Sequence, residues 1–457
     1  MHYQSLNPAT GRVLENWTPH TPEEIEHALH SAHQLYQSAW SKGDRTPRLQ
    51  LLRAIADQLE QNLEPLATAA SEEMGKLIAA SRGEVRFCAA IARYYADHAE
   101  TFLAPVSYPT DLGEAWLEHH PIGVIMAVEP WNFPYYQLIR VLAPNLAAGN
   151  PVICKHAQIV PRCAHLFAQV VKDAGAPAGV WSNLFITAQQ VATLIADPRV
   201  QGAALTGSER AGSAIAEQAG KHLKKTTLEL GGNDVFVVLD DADLPRAAQE
   251  AAAARLSNAG QVCTGAKRFL IQEAIYDDFL ALFREAMSQA VMGNPLDEKT
   301  TLGPLSSKEA LQRLHEQVDA AVKHGATVLL GGAPVDGEGF FYPPTILADI
   351  ALDNPARQQE FFGPVAQVYR VKSDNDVVAL ANDSPYGLGG AIFSSNIERA
   401  KQLASRIEAG MVFINSASDT APELPFGGVK LSGFGRELSD LGIKEFVNQK
   451  LVVVAKG

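Results

Sequence analysis

The sequence predicts an α/β protein of two packed lobes, and three observations predict it. The chain has 457 residues, 47% of them hydrophobic, which is more than one core accommodates. Short uninterrupted apolar runs alternate with segments of helical periodicity, the pattern of a parallel sheet covered on both faces. That alternation occurs twice, with a break near residue 231.

Taken in order, residues 46 to 64, TPRLQLLRAIADQLEQNLE, read as an amphipathic helix. Thr46 stands as its cap, Pro47 at the first helical position, and Leu52, Ile55, Leu59 and Leu63 recur on one face. The first strand–helix series follows, with IGVIMAV, PVICK, SNLFIT and GAALTG as strands and RCAHLFAQVVKDAG and QQVATLIAD as helices between them. The second opens at NDVFVVLD, passes through the helix LPRAAQEAAAARL, and continues from KRFLIQEAIYDDFLALFREAM to GAIFSS. No repeat or low-complexity linker divides them, so the lobes are expected to pack rather than hang from a tether.

A formal net charge of −13 excludes a nucleic-acid partner, which requires clustered cations. The opening MHYQSLNPATG lacks the regions of a signal peptide, and no run approaches the ~18 apolar residues of a bilayer span. A cytoplasmic protein without membrane contact is expected. The four cysteines, Cys88, Cys154, Cys163 and Cys263, show neither CxxC nor Cys/His ligand spacing, so neither disulfides nor a metal site is expected. Cys88 and Cys163 fall in helical patterns and Cys154 in a strand.

Cys263 differs from these three. In NAGQVCTGAKRF it sits among Gly260, Gln261, Thr264 and Gly265, just before a basic pair, where backbone and solvent approach the sulfur. Such a setting suits a nucleophile better than a core thiol. Glu229 ends the run KKTTLELGG, and a glutamate can activate the water that releases a thioester. Asn132 follows a buried strand in EPWNFPYY, where its amide can donate to a developing oxyanion. Gly207 and Ser208, in LTGSERAG, precede a helix whose amino end presents N–H groups to a phosphate. Lys155 ends PVICK, the carboxyl end of a strand, where open α/β sheets bind ligands.

In this order and spacing, the motifs EPWNFP, LTGSERAG, LELGGNDVFVVLDDADL, NAGQVCTG, EFFGPV and NDSPYGLGG resemble those of the aldehyde dehydrogenase superfamily, from LNPATG to PFGGVKLSGFGRE. The resemblance implies a Rossmann-like NAD(P) domain over residues 1–108 and 123–231, a catalytic domain over 232–440, and a β oligomerisation arm over 109–122 and 441–457. It also implies a homodimer or homotetramer. By the same resemblance Cys263 attacks an aldehyde, Asn132 and the Cys263 N–H hold the oxyanion, and Glu229 activates water against the thioester. Lys155 and Glu360 would hold the riboses of NAD or NADP, Gly207 and Ser208 the pyrophosphate, and Trp131 and Phe362 would flank the cofactor.

One departure concerns cofactor choice. Where the family commonly has Lys-Pro-Ser-Glu, this chain reads KHAQ, and neutral Gln158 neither binds a 2′-hydroxyl strongly nor repels a 2′-phosphate, so both cofactors are expected to serve. Arg140 lies eight residues beyond Asn132, near two helical turns, and is expected to look into the pocket with a fork suited to a carboxylate. That position resembles the succinate-semialdehyde dehydrogenases, although a second arginine often found there is replaced by Ser257. Ser257, Ser418 and Thr420 are expected to assist through hydroxyls. The reading is oxidation of succinate semialdehyde. Its alternatives are another aliphatic or ω-carboxylate aldehyde such as glutarate semialdehyde, transfer to coenzyme A, a nucleotide-free thiol hydrolase, and a non-catalytic cofactor-binding protein.

Overall fold

The computed structural model describes residues 3–456; Met1, His2 and Gly457, at the outer limits of the divisions given above, lie outside the described residues. The long amphipathic helix spans Thr46–Gln61, and Leu63 begins the next, Leu63–Met74. Thr46 is not its cap. Arg45 holds the cap position without a side-chain bond, and Asp44 before it accepts at Oδ1 from the Thr46 N–H at 3.1 Å and the Thr46 hydroxyl at 3.0 Å. A carboxylate serves a helix amino end better than a hydroxyl because its charge also meets the dipole.

Two large sheets carry the architecture. The first runs Gly433–Phe434, Lys225–Glu229, Val200–Thr206, Val124–Glu129, Val152–His156 and Trp181–Asn183, parallel except for its first strand. SNLFIT yields a strand of only three residues, Trp181–Asn183, because the chain then turns so that Thr187 can cap the helix Ala188–Ala196. The second sheet runs Thr327–Leu330, Thr345–Ala348, Val365–Val371, Arg268–Gln272, Val235–Val238, Gly390–Phe393 and Phe413–Ile414. Its middle strands Val235–Val238 and Arg268–Gln272 are wholly buried, which explains the unbroken apolar sequence of the first and the apolar centre, Phe269 to Ile271, of the second.

The C-terminal segment crosses between the units. Gly433–Phe434, inside the 232–440 division, pairs antiparallel with Lys225–Glu229 of the first sheet. Leu438, Ile443, Phe446 and Val447 then join the core formed by the helices Thr46–Gln61 and Ile78–Phe102. Phe446 lies against Gly202, where a Cβ would stand 2.7 Å from its ring, and Asn150 Nδ2 donates to its carbonyl at 2.7 Å. A third sheet pairs Val447–Ala455 with Gly113–Pro121 along its full length and adds Val106–Ser107. Its apolar residues Leu451 and Val454 are 59% and 54% exposed. No helix among the described residues is long and apolar enough to cross a membrane.

Candidate active site

The loop carrying Cys263 is held in an uncommon conformation. After the helix Leu244–Leu256, residues Asn258, Ala259 and Gly260 follow one another with φ of 50°, 53° and 75°. Consecutive left-handed residues are costly for an L-chain and persist only where neighbours enforce them. Here Asn258 Nδ2 donates to the Asn132 carbonyl at 2.9 Å, and buried Arg255 donates from Nη2 to the Gly260 carbonyl at 2.6 Å. Glycine is required at 260, since a Cβ would lie 2.1 Å from the Gly363 carbonyl. The thiol that follows is partly buried; burial pushes it up to about 12, while Lys267 and Arg140 pull it down.

Asn132 stands beyond the carboxyl end of Val124–Glu129 and is buried. Its Nδ2 donates to the Gln261 carbonyl at 3.0 Å, and a primary amide keeps a second N–H for another acceptor. The backbone N–H of Cys263 donates to no acceptor among the described residues. Beneath this loop lies a buried ion pair that the sequence reading missed. Glu84, paired with Lys76, accepts the Tyr135 and Tyr136 N–H groups at 2.8 and 3.0 Å at the start of the helix Tyr136–Ala148. The Lys76 ammonium sits 3.7 Å from the Phe133 ring centre. Together they fix the turn from Asn132 into the helix.

Glu229 ends its strand 2% exposed, with both carboxylate oxygens free of hydrogen bonds among the described residues. Burial and the neighbouring Glu437 push its pKa well above the ordinary carboxylate range, against the pull of Arg140 and Arg436. A carboxylate made this basic is a competent proton acceptor for water. Gly427, at φ 151°, leaves it room, since a Cβ there would lie 2.7 Å from Oε1.

A cavity of about 340 Å³ has Cys263, Arg140, Ser257, Ser418, Thr420 and Phe426 in its walls. The structure thus places the candidate nucleophile and all four candidate substrate residues around one space. Arg140, however, is not the free fork expected from sequence. It is 1% exposed, its Nε pairs with Glu437, its Nη2 donates to Thr206 Oγ1 at 3.0 Å, and its Nη1 to the Tyr136 hydroxyl at 3.2 Å. The guanidinium carbon lies 4.8 Å from the ring centres of both Tyr136 and Phe426. Each terminal nitrogen has one of its two N–H groups so engaged and keeps the other for a ligand. The correction has a physical reason: a cation this deep needs a permanent counter-ion, which Glu437 supplies.

Of the candidate cofactor residues, Lys155, Gly207 and Ser208 stand at or just beyond the carboxyl ends of first-sheet strands. Trp131 and Phe362 meet edge to face with centroids 5.8 Å apart. Ser208 caps the helix Glu209–Lys221, and the Gly207 N–H donates to the Glu229 carbonyl at 2.9 Å. Lys155 is mostly buried, makes no salt bridge among the described residues, and donates only to the His156 carbonyl at 3.3 Å. Glu360 accepts the Gly232 N–H at 3.0 Å. Between them, Gly231 offers no Cβ where one would crowd both Glu209 and Glu360. A cation without a carboxylate partner among the described residues, a helix amino end and a glycine backbone fit a pyridine dinucleotide.

With this geometry in hand, comparison with known proteins is informative. The model of the aldehyde dehydrogenase family matches residues 1–452. The succinate-semialdehyde dehydrogenase (NADP(+)) of Deinococcus radiodurans is 46% identical over 450 residues, covering 98% of this chain and 94% of its own. A probable succinate-semialdehyde dehydrogenase (NADP(+)) of Synechocystis is 42% identical, with 100% of both chains covered. The crystal structure of succinic semialdehyde dehydrogenase from Streptococcus pyogenes in complex with NADP+ superposes with a TM-score of 0.98 at 48% identity, covering 99% of this chain and 100% of that one.

Proposed function

The chain belongs to the aldehyde dehydrogenase family, and from that membership we propose that it oxidises succinate semialdehyde to succinate, with NADP+ as the preferred hydride acceptor and NAD+ as a weaker one. The observation that carries the substrate is the single cavity shared by Cys263 and Arg140, with hydroxyls of Ser257, Ser418 and Thr420 around it. Two spare guanidinium N–H groups and three hydroxyls receive the far carboxylate, and the aldehyde carbon then meets the sulfur.

The chain's own groups account for the remaining chemistry. The Cys263 thiolate adds to the aldehyde carbon, and the second N–H of Asn132 with the Cys263 backbone N–H takes the oxyanion. When bound, NADP+ supplies acceptance of a hydride from that carbon. Glu229 then takes a proton from water, the water oxygen adds to the thioester carbon, and the C–S bond breaks to release succinate and the thiol. Lys155, Gly207, Ser208, Glu360, Trp131 and Phe362 are the residues that would hold the cofactor. Lys155 supports the preference for a 2′-phosphate because it has no carboxylate partner among the described residues and Gln158, three residues on, is neutral.

Reduced nicotinamide should form with the highest kcat/KM for succinate semialdehyde and NADP+ in a panel including glutarate semialdehyde, butanal and NAD+. A higher value for butanal would overturn the substrate. Gln158→Glu should lower kcat/KM with NADP+ about tenfold relative to NAD+, because an added carboxylate repels the 2′-phosphate and accepts from a 2′-hydroxyl. An unchanged ratio of the two would remove Gln158 from the ribose pocket.

The arm supports assembly into a homodimer or homotetramer, since one edge of Val447–Ala455 is unpaired among the described residues and the strand carries exposed apolar side chains. Four unpaired cysteines suit the cytoplasm.

A further inference from the structure

The basic pair that follows the nucleophile loop has no part in the steps above. Its first member, Lys267, is fully buried. The ammonium donates to the Val262 carbonyl at 2.9 Å and the Cys263 carbonyl at 2.5 Å, and lies 3.2 Å from Glu360 Oε1. Those three contacts use all three of its N–H donors. The same Glu360 oxygen accepts the Gly232 N–H, and Gly232 abuts the Cys263 carbonyl so closely that a Cβ would stand 2.5 Å from it. A charge buried only to fill space would be costly, and an apolar residue of equal volume would pack there without that cost. This one is spent on the two carbonyls that flank the reactive sulfur.

We propose that Lys267 is a positioning residue for Cys263: it clamps the nucleophile loop through the Val262 and Cys263 carbonyls and supplies the positive field that favours the thiolate, with Glu360 as its counterweight. The charged groups facing the sulfur fall into two pairs. Lys267 and Arg140 favour the thiolate, while Glu360 and Asp234 oppose it. Lys267 is the stronger of the favourable pair. Each cation has a carboxylate partner, Arg140 that of Glu437 and Lys267 that of Glu360, but of the two it is Lys267 that also bonds the carbonyls of the nucleophile loop.

The inference rests on reading Cys263 as the nucleophile, and its test uses no aldehyde, so an error in the substrate leaves it untouched. The rate of Cys263 alkylation by iodoacetamide is measured against pH in the cofactor-free protein, with Cys263→Ser as the blank; the other three cysteines are fully buried. Lys267→Met should slow alkylation about tenfold at a fixed pH and move the profile to higher pH. Glu360→Gln should move it the opposite way by a similar factor. A purely structural lysine would not give opposed shifts. Coincident profiles for wild type and Lys267→Met overturn the proposal. Should Lys267→Met fail to fold by circular dichroism, Glu360→Gln decides alone, and alkylation equal to or slower than wild type overturns it.

Discussion

Glu229→Gln should retain a first-turnover burst of reduced nicotinamide while steady turnover falls by about 10²–10⁴-fold, the usual contribution of a positioned general base. The asymmetry follows from where the carboxyl acts. Hydride departure needs the thiolate and the oxyanion donors, which the substitution leaves intact, whereas thioester hydrolysis needs a proton acceptor. Glutamine is isosteric, and both Glu229 oxygens lack hydrogen-bond partners among the described residues, so no existing hydrogen bond is broken. A pH arm sharpens the test. Because the Glu229 pKa is raised, its basic form grows as pH climbs through that raised value, and steady turnover of the wild type should climb with it. The Gln variant should lose that limb. Equal loss of burst and steady rate would remove Glu229 from deacylation.

Arg140→Ala should lower kcat/KM for succinate semialdehyde by tens- to several-hundred-fold, the worth of a charge-assisted pair of about 2–4 kcal/mol. Sequence alone leads one to expect uncharged aldehydes to be spared. The Glu437 pair changes that expectation. Without Arg140, Glu437 is left buried beside Glu229 and pushes the base further from its working form, so butanal oxidation should also fall, by about tenfold. The double variant Arg140→Ala/Glu437→Gln separates the two effects. It should restore butanal and leave succinate semialdehyde impaired. If both substrates recover together, Arg140 serves only as counter-ion to Glu437, and the far carboxylate is held by other groups.

What the sequence disclosed follows from the range of its signals. Buried parallel strands such as Val235–Val238 are apolar throughout, and helices such as Leu244–Leu256 carry Pro and Asp at their starts, so both are readable locally. The two-residue strand Gly433–Phe434 has neither length nor pattern, and only its partner Lys225–Glu229 makes it a strand. The candidate nucleophile, base and oxyanion donor stood out because loop chemistry is dense in small and amide residues. Their supports did not. Lys76, Glu84, Lys267 and Glu437 each look like a solvated charge in sequence, yet Lys76 and Glu84 pair inside the fold, and Lys267 and Glu437 meet partners distant in the chain, Glu360 and Arg140. The left-handed run at Asn258 and Ala259 was equally silent, since it is imposed by Asn132 and Gly363 from elsewhere.

The return of the C-terminal segment to the first sheet bears on how the protein is made. A ribosome delivers the chain amino end first, and domains ordinarily fold as they emerge. Here the sheet formed by residues from 124 to 229 has its edge strand at Gly433–Phe434, and its supporting core draws on Leu438, Ile443 and Phe446. The first sheet therefore waits, incomplete, until residues 433 to 447 have been translated. During that interval an unpaired strand edge and the seat of Phe446 face solvent, and loss of the segment from Gly433 to Val447 would be a lesion of the first sheet.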